Sequence, residues 1–147
     1  MRIMNILIVA VLTQTAQPIR LSPAEIVTRI ESATTLQEEE TLGQVFETSI
    51  IVADVSRSYY LDSGNGHVTV WSRDLKSPTN PDGANLLFCV SSVVQERKAG
   101  RLRKGERIVI RGTFTQKTST HANMIGGNLA HSTLIIFAKS EIVRVGK

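Results

Sequence analysis

The sequence predicts an all-β domain with minor helix, built as a five-stranded Greek-key barrel. Three observations predict it. Leu102 to Phe114, LRKGERIVIRGTF, reads as a tight turn at Lys104-Gly105 feeding a strand in which Ile108 and Ile110 alternate with Arg107, Val109 and Arg111. Four other stretches carry strand patterns, at Gln44–Asp54, His67–Trp71, Leu86–Val90 and Thr133–Val145. A single short helical stretch, Ser91 to Gly100, lies between the third and fourth of these five.

In chain order, Met1-Arg2 precede an apolar run from Ile3 to Leu12, then Thr13 to Ala16. A basic start, an apolar run and a small residue at Ala16 fit a secretory signal over residues 1–17, and the run is shorter than the roughly 20 residues of a membrane-spanning helix. The expectation is therefore a periplasmic or secreted protein whose mature chain has no transmembrane anchor. The alternative is an apolar segment packed on a cytoplasmic domain.

Residues 18–42 are expected to hold an N-terminal helix. Ser22-Pro23-Ala24-Glu25 is a helix start, with Ser22 as cap, Pro23 in the first turn and Glu25 reaching back as a capping box. Ile26, Val27 and Ile30 form its apolar stripe, expected to pack on the barrel or cover one end.

Residues 43–147 are expected to form the barrel. In the first strand Phe46, Ile50 and Val52 share one face, while Val45, Glu47, Ser49, Ile51 and Ala53 share the other. Two partly apolar faces suit a long, curved strand that changes neighbours. Ser56-Arg57-Ser58 is expected to end it. Strand two is either Tyr59–Leu61 or His67–Trp71, separated by the turn signal Asp62-Ser63-Gly64-Asn65-Gly66. In the second option Val68 and Val70 point inward, and His67, Thr69 and Trp71 outward. Arg73 to Asn85, with Pro78, Pro81 and Gly83, reads as a loop. Leu86 to Val90 is wholly apolar and therefore central. Gly112 in the fourth strand signals a bulge or a close backbone approach. Thr115 to Ser132 reads as a long polar loop before the last strand.

At 147 residues the chain is one domain, with 41% apolar and 20% charged residues. The net charge of +4 is unevenly spread. Residues 1–54 carry three basic and seven acidic side chains, residues 55–95 three of each, and residues 96–147 eleven basic and three acidic. The basic second half suggests a face that meets anions. Cys89, the one cysteine, sits among apolar residues as an inert thiol would.

Strand, strand, strand, short helix, strand, strand is the order of an OB-fold. Val45 and Ala53, Phe88-Cys89-Val90, and above all Leu102, Gly105, Val109 and Gly112 carry the likeness over residues 43–145. On these residues the chain resembles the tRNA-anti-like OB family, small bacterial proteins that are often exported.

That resemblance implies a ligand face on strands two and three, flanked by the loops joining strands one to two and four to five. Carried onto this chain, Tyr59, Tyr60 and Trp71 would stack on bases, and Arg57, Arg73, Arg107 and Arg111 would meet phosphates. The structural alternative has Trp71 packing under the N-terminal helix and Tyr59 and Tyr60 sealing a barrel end. Arg97, Lys98, Arg101, Arg103 and Lys104 form a separate basic patch that would follow a phosphate backbone or serve as a solvated helix end.

His67, His121 and His131 lack ligand spacing, so no metal is expected. No nucleophile triad, phosphate loop or paired-carboxylate signature appears, so neither a cofactor nor catalysis is expected. Two partner classes follow: a protein or anionic polymer bound outside the cytoplasm, or single-stranded nucleic acid.

Overall fold

The computed structural model describes residues 17–58, 67–77, 80–122 and 130–146. Tyr59–Leu61, the other candidate for strand two, lies outside the described residues, as does the apolar run Ile3–Leu12.

A two-residue strand β1 (Ile19–Arg20) leads into α1 (Pro23–Glu31). Ser22 is extended, and its Oγ accepts a hydrogen bond from the Glu25 backbone N–H at 3.2 Å. Ile26, Val27 and Ile30 are buried as their spacing predicts. The helical region then divides. The Ser32 hydroxyl donates to the Thr28 carbonyl at 2.6 Å, and Thr34 turns extended to start α2 (Thr35–Thr41). The reciprocal capping box expected at Ser22–Glu25 forms instead at Thr34–Gln37.

β2 (Val45–Ser58) runs past Ser56-Arg57-Ser58, where the sequence suggests an end. It changes neighbours midway. Val45 to Ile51 pair antiparallel with β6 (Arg107–Ala122), and Val52 to Ser58 pair with β3 (His67–Ser72) across a bulge between Val52 and Asp54. Backbone pairing with β3 keeps the polar tripeptide extended. β3 is thereby strand two.

The expected loop at Arg73–Asn85 holds a further strand pair. β4 (Leu75–Ser77) pairs with the start of β5 (Asn80–Val90), Leu75 opposite Ala84 and Ser77 opposite Asn80. The backbone here is a sheet edge, where a proline's missing N–H breaks no central ladder. β5 then pairs antiparallel with β3 and parallel with β7 (Ala130–Val145).

α3 (Val93–Gly100) joins β5 to β6, capped by Ser92, whose Oγ accepts from the Gln95 backbone N–H. Gly105, at φ +86°, makes the predicted turn into β6. Of the loop expected over Thr115 to Ser132, the described residues 115–122 and 130–132 are strand, and the rest lies outside the described residues. β6 continues through Ala122 and pairs with β7 from Ala130 onward. Its threonines, Thr115, Thr118 and Thr120, favour the extended chain by β-branching, which outweighs their polarity.

The pairs β2–β3, β3–β5, β5–β7, β7–β6 and β6–β2 close a ring. Antiparallel strands with one parallel closing pair and a helix between the third and fourth members define the barrel as an OB-fold.

One cross-strand row fills its interior: Val70 faces Phe88, Phe88 faces Phe137, and Phe137 faces Phe114. Phe137 stacks on Phe88 at 4.6 Å and meets Phe46 and Phe114 edge-on at 6.0 and 6.1 Å. All the chain's phenylalanines are thus in one contact set, each contributing roughly 1.5–3 kcal/mol by burial. Ile108 and Ile110 join them while Arg107 stays outside, as the alternation predicts. At Gly112 the register shifts, and an added Cβ would sit 2.7 Å from both Phe137 Cβ and Ser140 Oγ. Both reasons expected for that glycine, a bulge and a close approach, hold.

Candidate functional site

A second row, beside the phenylalanine row and joined to it on β6 across the irregularity between Phe114 and Gln116, points the other way. Trp71 faces Leu87, Leu87 faces Ile136, and Ile136 faces Gln116. This outer row crosses strands two and three of the barrel, where the resemblance implies a ligand face. Leu87, Cys89 and Ile136 are buried there, with Trp71 and Leu134 packed against them. Trp71 is half-buried, and its Nε1 donates to Ser56 Oγ at 3.0 Å and Thr69 Oγ1 at 3.2 Å. It packs on this outer cluster and not under α1. Burial pushes the Cys89 thiol up to about 11, so it stays protonated and inert.

The other stacking candidates, Tyr59 and Tyr60, lie outside the described residues. Arg57, opposite Val68 on β2, and Arg73, just past β3, are exposed near the same pair of strands as Trp71. Arg107 and Arg111 are placed elsewhere. They lie on β6, which does not pair with β3; β2 stands between them. Arg107 is exposed opposite Ile51. Arg111 is engaged: its Nη2 and Nε donate to Glu47 Oε2 at 2.7 and 3.1 Å, and Arg20 Nε donates to Oε1 of the same carboxylate at 3.3 Å. The Arg111 hydrogen bonds, opposed by burial and helped by the Arg111 and Arg20 charges, hold the Glu47 carboxyl below the usual carboxylate range. The structure therefore separates the predicted site residues. Arg73 follows Trp71 by two positions, Arg57 sits opposite Val68, which packs on the core and not on the Trp71 face, and Arg107 and Arg111 belong to another strip.

The basic patch is brought together. Ala99 is fully buried and Leu102 packs on the core. That anchoring turns Arg97, Lys98 and Arg101 outward at the end of α3, with Arg103 and Lys104 in the turn that follows. Only Lys104 of these five has a carboxylate near it, Asp54 at 4.0 Å, among the described residues. Glu106 is used locally, its Oε2 accepting the Arg103 backbone N–H at 2.9 Å.

Arg144 completes the patch, and sequence reasoning missed it. Nothing local marked it: Arg144 stands two positions after the core residue Ile142, where strict alternation predicts an inward side chain, and the register shift between Val109 and Ile110 leaves it exposed. With Lys98 and Arg101 it lines a cleft of about 400 Å³ whose other walls are Leu102, Glu106, Ile142, Val143 and Val145. Chemically, this edge offers unpaired cations around an apolar floor. No group of three or more metal-type ligands occurs among the described residues.

Solved structures match this chain, among them the following two. A putative nucleic acid-binding lipoprotein from Klebsiella pneumoniae matches with a TM-score of 0.55 at 12% identity, over 86% of this chain and 92% of its own. The Plasmodium falciparum SSB, in complex with ssDNA, matches with a TM-score of 0.38 at 19% identity, over 69% of this chain and 93% of its own. At 12% identity the likeness to the Klebsiella pneumoniae protein is one of fold. No family model matches the sequence, and neither does any curated protein.

Proposed function

We propose that this chain is a non-catalytic OB module of the tRNA-anti-like kind and that its ligand is single-stranded nucleic acid. The observation that carries the reading is the run of cations from α3 to the end of β7. Among the described residues, Arg97, Lys98, Arg101, Arg103 and Arg144 have no carboxylate within ion-pair distance. Unpaired cations gathered on one edge raise the local positive potential, and a phosphodiester strand neutralises it by releasing its own counterions. The nucleic acid-binding name of the Klebsiella pneumoniae neighbour supports the same reading. A protein ligand draws on less: Val93 and Val94, 64% and 60% exposed at the start of α3.

The test is titration of a fluorescent oligothymidylate at several salt concentrations. Binding that weakens with salt at a log–log slope near about −3, as four or five phosphate contacts imply, is expected. Absence of binding at low salt overturns the proposal.

Export belongs to the same reading. It is supported by the apolar run Ile3–Leu12 behind Arg2 and by the lipoprotein neighbour. N-terminal sequencing of the protein from its host is expected to find a start near Gln17; a chain still beginning at Met1 would end this part.

A further inference from the structure

We infer that the cleft between the end of α3 and the end of β7 seats an unstacked base, with the flanking phosphates held by Lys98, Arg101 and Arg144. This rests on the nucleic-acid reading and places its site away from strands two and three.

Val143 and Val145 are 45% and 50% exposed, although the barrel closes without them. They stand with Leu102 in the wall of the cleft, on either side of Arg144 in sequence. Branched aliphatic side chains left in water gain by covering, and a planar base is a ligand that apolar walls accept. The cleft's charge selects an anionic ligand. Three cations face one carboxylate, and that carboxylate already accepts the Arg103 N–H. At about 400 Å³ the cleft has the size of a small-ligand site.

The alternative place is the outer row around Trp71, beside which a recess of about 580 Å³ opens at Gln116, Cys89 and Lys139. The row Trp71, Leu87, Ile136 and Gln116 contains no cation, its two aliphatic members are buried, and the indole N–H is committed to Ser56 and Thr69. A base stacking there would have to reach past the row for a phosphate partner, to Arg73 or Lys139. At the α3–β7 cleft the apolar wall and the cations adjoin, as a strand with alternating bases and phosphates requires.

The experiment compares an oligothymidylate with an abasic strand of equal length, on the wild type, V143S/V145S, R101A/R144A and W71F. The wild type is expected to prefer the thymidylate by about fivefold, as covering roughly 40 Å² of aliphatic wall implies. V143S/V145S should lose that preference while keeping its salt slope and melting temperature, since neither valine is core. R101A/R144A should weaken both strands and flatten the slope by about 1.4, two contacts at 0.7 each. W71F should keep the preference. Equal affinity of the wild type for both strands overturns the base seat but leaves the nucleic-acid reading standing. Loss of the preference in W71F but not in V143S/V145S moves the site to the outer row and also overturns it. Anionic phosphatidylglycerol vesicles that bind through Val143 and Val145, with oligonucleotide binding unaffected by V143S/V145S, assign the cleft to a membrane instead. No binding of either strand removes the underlying reading itself.

Discussion

Arg111 grips one oxygen of Glu47 with two nitrogens, Nη2 at 2.7 Å and Nε at 3.1 Å, and so ties β6 to β2 where the two strands pair. Arg20 takes the other oxygen and brings β1 into the same clasp. The Glu47 side chain is only 12% exposed, so this pair is screened less than a surface one.

The folded Glu47 carboxyl titrates below its unfolded value. Its stabilising contribution is therefore present above the ordinary carboxylate range and is lost as pH falls through the folded value. Glu47→Gln is expected to cost about 1 kcal/mol at pH 7, with the gap to wild type narrowing below about pH 4. Urea unfolding at pH 7 and pH 3 measures it. An equal gap at both pH values would show that charge is not the source.

Gly112→Ala places a methyl group against Phe137 Cβ and Ser140 Oγ, where 2.7 Å is available. Both neighbours are buried and belong to the bulged stretch of β7, so neither yields cheaply. A loss of about 1–3 kcal/mol is expected from overpacking. A thermal melt reads it directly, and an unchanged midpoint contradicts the close approach.

Phe137→Leu removes the ring that touches three others. The expected cost exceeds that of Phe46→Leu, because Phe46 has one such ring contact among the described residues, and is about 2 kcal/mol or more. Chemical denaturation of the two variants side by side decides the order.

Cys89 is expected to resist thiol reagents in the native protein at pH 8, since its thiol is pushed up to about 11 and the residue is 5% exposed. Reaction should appear with unfolding and track it in denaturant. Rapid labelling of the folded chain would show that the outer cluster around Trp71 is open.

Where side chains alternate cleanly, the strands were legible in the sequence. Ile108 and Ile110 against Arg107 and Arg111 sit as predicted, and Gly105 and Gly112 do what their positions suggested. Reading failed where backbone pairing overrides composition. Ser56-Arg57-Ser58, the hairpin of β4 with β5, and the threonine-rich arm after Phe114 all look like loops alone, and all are held extended by a neighbouring strand. Of the site, the five cations from Arg97 to Lys104 were legible because they are contiguous. Arg144, Val143 and Val145 were not, because nothing local marks them as their neighbours.

Periodicity, turn residues and charge distribution by themselves determined an OB barrel with a basic second half, since these are local properties of the chain. Only the tertiary structure decided which cations stay free. Arg111 is neutralised by a glutamate 64 positions away, whereas Lys98, Arg101 and Arg144 converge on one cleft. Ion pairing and cleft formation depend on distance in space, and closing the ring of strands is what sets that distance.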